Sequence, residues 1–193
     1  MKHLQQQPIS IDVRIWLILI LFMVLGSFMI GAITRLSGSG LSMVEWRPLL
    51  GWIPPLSEGE WMRIFDLYKQ TSQFEQINAY MDIEDFKGIF WWEYIHRVWG
   101  RLIGIAYIVP LIWFWYKNKL PKSIKPTLII LLCLGCLQGF IGWWMVKSGF
   151  VGRSEVAPQR LAIHLGVAML ILAIIAFCLF DSHHNGIKQN MTK

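Results

Sequence analysis

Four long apolar runs, separated by polar links, set the pattern of this chain: residues 15–33, 95–116, 127–146 and 161–180. Each is close to the roughly 20 residues a helix needs to cross a bilayer. Helices buried in a soluble bundle keep a polar face, and these runs barely do. The pattern predicts an all-α fold, an integral membrane up-down four-helix bundle. Residues 34–94 form a long outer loop with short helices. Residues 1–14 are a polar lead, and 181–193 a polar, disordered tail. The first run exceeds the roughly 7–15 apolar residues of a signal peptide, and no small-residue cleavage site follows. It reads as a retained anchor.

The loop opens with a Gly/Ser-rich turn, Thr34 to Met43. The stretch Trp46 to Pro55 holds three prolines and cannot be helical throughout. Ser57 is placed to cap a helix over 58–70, with Glu60 in the capping-box position. Trp61, Ile64, Phe65 and Tyr68 give that helix an apolar stripe. A second amphipathic piece is expected over 74–81. Ordering of so long a loop falls to its own tryptophans, packed on the bundle end.

Composition sharpens the picture. The chain is 55% hydrophobic and carries a net charge of +6. Lys117, Lys119, Lys122 and Lys125 fill the link after the second run with no acid among them. The positive-inside rule puts that link on the cytoplasmic side, and with it both termini. The loop, where acids outnumber bases, then lies outside. The setting is a bacterial inner membrane, or the mitochondrial inner membrane in a eukaryote. No basic patch sits on a soluble module, so nucleic acid is not an expected partner. Cys133 and Cys136 have C-x-x-C spacing, but without a second pair or a soluble βαβ context they read, with Cys178, as small packing residues.

The chemistry concentrates in Trp91 to Arg101. Glu93 and His96 are i,i+3 on a helix, and Arg97 and Arg101 are i,i+4. Ionisable groups at membrane depth are costly and point to function. Among the histidines, only His96 and His164 lie in apolar runs; both are near the outer ends of helices that run the same way. In an up-down bundle these helices are diagonal across the core, so two imidazoles can face each other at matched depth and ligate one haem iron. Arg97, Arg101 and Arg160 flank them, and guanidinium suits the haem propionates. Trp99, Gly100, Gly104 and Gly166 can wall and admit a flat macrocycle. Plainer roles compete: each histidine bonding a backbone carbonyl, the arginines snorkelling to headgroups, and Glu93 forming a salt bridge with Arg97. The functional role for Glu93 is electrostatic or basic, on the haem-facing side.

These residues carry a resemblance. The chain resembles the N-terminal half of the haem A synthase family, in its long-looped proteobacterial and mitochondrial branch. The motifs are Thr34 to Met43; Trp46-Arg47-Pro48 with Gly51 to Leu56; Asn78-x-x-Met81; Glu84 to Phe90; Glu93 to Arg97 with Gly100-Arg101; and His164. The resemblance implies an oxidoreductase that converts haem O to haem A, oxidising the methyl at ring position 8 to formyl for cytochrome oxidase assembly. It implies His96 and His164 as axial haem-iron ligands and Glu93 as the essential glutamate. Haem O synthase and oxidase assembly proteins are the implied partners, beside haem O and the lipid bilayer. The family has eight membrane helices in two similar halves, and the second half holds a further histidine pair with haem b. Four helices are visible here. The expectation is therefore a homodimer, a separate C-terminal half, or a truncated haem-holding module without turnover. A bis-His cytochrome b electron carrier is the alternative from another class; it would have no use for Glu93.

Overall fold

The computed structural model describes residues 9–47, 51–150 and 152–191, with side chains to Asp181. The motif residues Pro48 to Leu50, and the side chains of His3, His183 and His184, lie outside the described residues. Five α-helices are present: α1 (Ile11–Leu36), α2 (Glu58–Lys69), α3 (Ile83–Tyr116), α4 (Lys125–Lys147) and α5 (Pro158–Met191). No strand occurs among the described residues. Four of the helices, α1, α3, α4 and α5, are long and apolar enough to cross a membrane. The all-α membrane architecture expected from the sequence is therefore present, and the chain is a multi-pass membrane protein.

Two boundaries differ from the sequence reading. Helix α3 begins at Ile83, not at residue 95. Asp82 Oδ1 accepts from the Glu84 and Asp85 amides at 2.9 and 3.0 Å, which caps the helix. With 34 residues α3 is about 51 Å long, well beyond the roughly 30 Å of a hydrocarbon core. The surplus is polar enough at its start to read as loop. Helix α5 runs on to Met191, where a disordered tail was expected. Residues 181–191 contain no proline to stop it.

The chain divides into two compact units. The first comprises 1–25, 102–137 and 166–193. Its centre is Trp16, 4% exposed, whose indole N–H donates to the Ala106 carbonyl at 2.9 Å. The Trp16 ring lies 5.2 Å from that of Tyr107 and 5.6 Å from that of Phe114. Tyr107 in turn donates to the Leu128 carbonyl at 2.8 Å. Each polar tip on a buried aromatic thus has a partner, as a buried Trp or Tyr requires.

The second unit comprises 26–101 and 138–165 and contains Glu93, His96, Arg97, Arg101, Arg160 and His164; Gly104 and Gly166 fall in the first. Ser57 caps α2 by accepting from the Glu60 amide at 3.3 Å. The Glu60 side chain turns instead to Arg63, so only the first half of the capping box forms. The apolar stripe of α2 packs on the early turns of α3: Phe65, Tyr68, Phe86, Ile89 and Phe90 form one buried cluster. Phe74–Asn78 is a single π-helical turn, shorter than the segment expected over 74–81. The Tyr68 hydroxyl accepts from Asn78 Nδ2 at 2.6 Å and donates to Gln73 Oε1 at 3.0 Å. Gln73 Nε2 then reaches the carbonyl of Gly38 at 2.9 Å. Gly38 sits at φ +67°, a left-handed turn that a side chain would strain. The loop is ordered by this aromatic core and polar chain rather than by disulfides; Cys133, Cys136 and Cys178 are free thiols.

An ion-pair network fastens the loop surface. Arg63 bonds Glu45 at 2.9 Å and Glu60 at 2.8 Å, and Arg47 bonds Glu45 at 2.8 Å. The Arg63 hydrogen bonds hold both carboxylates below the ordinary value of 4.5. A depressed acid stabilises the folded form above its unfolded pKa and loses that contribution as pH falls through the folded one. Pepsin cleavage of the loop should therefore rise as pH drops below 4.5, and Arg63→Met should remove that dependence. Unchanged pH dependence in the variant would refute the assignment to this network.

Candidate functional site

Helix α3 sorts the predicted site residues onto different sides. Glu93, Arg97 and Arg101 recur every four residues and face the loop. Glu93 is 3% exposed. Its Oε2 accepts from Ser42 Oγ at 2.9 Å and the Met43 amide at 3.0 Å, and its Oε1 pairs with Arg97. Arg97 also donates to the Met43 carbonyl at 2.9 Å and the Glu45 carbonyl at 3.2 Å, and lies over the Trp46 ring. One turn on, Arg101 donates to the Arg47 carbonyl at 3.0 Å and lies over Trp52. A Cβ on Gly51 would fall 2.6 Å from the Arg47 carbonyl oxygen as well as from Arg101 Nη2, and the backbone oxygen cannot swing aside, so only glycine lets the loop come this close.

This placement differs from the sequence reading in two respects. Glu93 points into the Ser42–Met43 turn, not toward an open haem face. Arg97 is committed to Glu93 and loop carbonyls rather than held ready for a propionate. The physical reason is the loop itself. A turn pressed on a helix leaves backbone groups that need partners, and a long-range contact of this kind leaves no local signature.

His96 sits three residues from Glu93 on another side of α3 and rests on α1. A Cβ on Gly31 would fall 3.3 Å from His96 Cε1 and Nε2. Trp99 rests in the same manner on Gly26, with its ring 3.2 Å from the Cβ position. His164, on α5, is seated against α4: a Cβ on Gly142 would fall 3.2 Å from His164 Cε1. Gln138, one turn before Gly142, donates from Nε2 to the His164 carbonyl at 2.9 Å. Arg160 stays with its own helix pair, donating to the Trp144 carbonyl at 2.7 Å and stacking over the Trp144 ring at 4.3 Å. A Cβ on Gly100 would meet nothing within 4 Å.

The structure thus seats His96 and His164 each on a glycine of a facing helix and spends Glu93 and Arg97 on the loop. Gly142 and Gln138 were not singled out from the sequence. Gln138 did carry a signal, as the one amide in the apolar run 127–146. The donor set suits a haem iron: two imidazoles from different helices, seated on glycines among apolar side chains. His164 Nδ1 is buried with no hydrogen-bond partner among the described residues, and a ring so placed is under-used in the protein alone.

The glycine seats make a sharp prediction. A valine at Gly31 or Gly142 puts a branched side chain where the imidazole rests, so the ring must leave its seat. Gly142→Val should reduce retained haem at least tenfold, against little change for Gly59→Ala, which faces open space. Haem content after purification measures both, and equal retention in Gly142→Val would refute the seat.

Residues 14–193 match the profile of a cytochrome oxidase assembly protein family, COX15-CtaA. The chain is 48% identical over 163 residues to a haem A synthase of Rhodospirillum centenum, covering 84% of this chain and 44% of that protein. It is 47% identical over 173 residues to one of Agrobacterium fabrum, covering 89% and 47%. For one of Novosphingobium aromaticivorans the figures are 45% over 168 residues, 86% and 48%. The chain therefore spans about half the length of the curated relatives it matches. No solved structure matches it. With the family profile covering nearly all of its length and the histidine pair lodged in its apolar helices, the chain belongs to the haem A synthase family of cytochrome oxidase assembly proteins.

Proposed function

We propose that this chain supplies a haem O site of a haem A synthase, in which the methyl at ring position 8 is oxidised to formyl for cytochrome oxidase assembly. The observation that carries the reading is the pair of glycine-seated imidazoles, His96 on α3 and His164 on α5, each on a helix long and apolar enough to cross a membrane. In this reading both histidines hold the substrate iron. Arg160 and Arg101 serve the propionates. A guanidinium has five N–H donors, and the Trp144 carbonyl takes one of those of Arg160. Oxidising a methyl group releases electrons, so the reaction needs an electron acceptor as partner.

Glu93 has two roles here. Its three hydrogen bonds fix the 42–45 turn, and its carboxylate keeps negative charge one turn from His96. Preorganised charge of this kind costs no reorganisation during reaction. In this reading the lysine-rich link and both termini face the cytoplasm across a bacterial inner membrane, with the histidine site near the outer face; the charge of the link supports that orientation. In this reading a second four-helix half, whether in the same polypeptide, a second copy or another chain, completes the bundle and holds a haem b site.

A second reading is a haem-holding module without turnover. It is favoured by the commitment of every Glu93 oxygen to the loop or Arg97.

The test is haem extraction and chromatography from membranes that make this chain and haem O. The intact chain should yield bound haem O and haem A. His96→Ala should yield neither above background. Glu93→Gln should keep haem and lose most haem A, because it weakens the Arg97 pair and removes the charge. Bound haem O with no haem A from the intact chain would favour the module. No bound haem would refute the site.

A further inference from the structure

Gln138 is a costly residue where it stands. An unpaired amide in an apolar helix loses its hydrogen bonds to water and recovers them only from protein. The described chain gives Gln138 one partner residue, His164 on α5. Its Nε2 lies 2.9 Å from the His164 carbonyl oxygen and 3.4 Å from His164 Nε2. Its Oε1 is buried with no partner among the described residues, as is His164 Nδ1.

The first contact fixes the amide. A carbonyl oxygen can only accept, so the end of Gln138 that faces it is the NH2 group. The same NH2 is therefore what His164 Nε2 meets. An N–H facing a ring nitrogen favours the tautomer in which that nitrogen keeps its lone pair. In a neutral imidazole the proton then sits on Nδ1. A metal takes that same lone pair, so an iron entering at Nε2 displaces the 3.4 Å amide contact while the 2.9 Å bond to the His164 carbonyl stays in place. Gly142, one turn from Gln138 on α4, supports the ring at Cε1, 3.2 Å from its Cβ position. Gln138 and Gly142 together fix the ring's proton and its place.

We propose that Gln138 is a positioning residue: in the ligand-free chain it holds His164 in the Nδ1–H tautomer and, through the His164 carbonyl, sets the register of α5 against α4, so that an unprotonated Nε2 takes a haem iron in exchange for the amide contact. The haem part rests on the function proposed above; the tautomer part does not. Residues that orient a metal-ligating histidine are commonly worth about 10–100-fold in metal affinity.

Two experiments test it. The first uses the intact, ligand-free chain in detergent, with 15N-labelled histidine. Nitrogen shifts of His164, assigned against His164→Ala, should show Nδ1 protonated and Nε2 bare. The opposite tautomer would overturn the proposal without reference to any haem. The second adds ferric haem to the intact chain, Gln138→Leu and Gln138→Glu. The intact chain should give the low-spin spectrum of two nitrogen ligands. Both variants should bind haem about tenfold or more weakly, show a raised high-spin fraction, and regain the low-spin spectrum with added imidazole. Unaltered affinity and spin state in the variants would overturn the role of Gln138 while leaving the haem site intact. No haem binding by the intact chain would overturn the haem site, and with it the haem part of the proposal.

Discussion

Glu93 is a carboxylate with 3% of its surface exposed, and burying such a charge is tolerable only if donors converge on it. An unpaired buried ion costs several kcal/mol, and breaking a buried pair by removing one partner typically costs about 3–5 kcal/mol. Here the donors are Arg97, the Ser42 hydroxyl and the Met43 amide. Two of the three come from a loop some fifty residues earlier in sequence. The charge therefore needs the loop as much as the loop needs the charge. Arg97 closes the arrangement by returning its remaining hydrogen bonds to the Met43 and Glu45 carbonyls. From this anchor the rest of the second unit follows: Arg101 pins the next stretch at Arg47 and Gly51, and α2 covers the outer turns of α3 with aromatic side chains.

The same helix can hold the loop and present His96 elsewhere because positions i+3 and i+4 fall about 100° apart around its axis. Glu93, Arg97 and Arg101 form one stripe. His96 falls beside it and reaches α1, where Gly31 leaves room for the ring. His164 reaches α4 by the same device at Gly142. In both cases the imidazole is placed by a missing side chain on the facing helix. Small residues let membrane helices approach closely; here they also make room for a chemical group. The extra length of α3 is what allows this division of labour. Its outer turns build the loop core, and its next turns carry the site.

Much of this was legible beforehand. Four apolar runs of membrane length announce four crossing helices, because a backbone in lipid has no other way to satisfy its hydrogen bonds at that length. The Ser57 cap and the aromatic stripe of α2 were visible because caps and stripes are local. The two histidines stood out because ionisable groups at membrane depth are rare. The start of α3 was misplaced by twelve residues, since Ile83 to Tyr94 is polar at first and apolar runs mark membrane depth rather than helix ends. The Asp82 cap was a readable signal for the true start.

What the sequence by itself determined is therefore the class of fold, the membrane helices and the pair of imidazoles, all of them consequences of hydrophobicity and helical period along the chain. What only the tertiary structure decided is the partner of each polar group. Whether Glu93 meets a ligand or a loop amide depends on a turn fifty residues away, and whether an imidazole fits depends on a glycine in another helix. Those facts belong to distances between segments, and periodicity within one segment does not encode them.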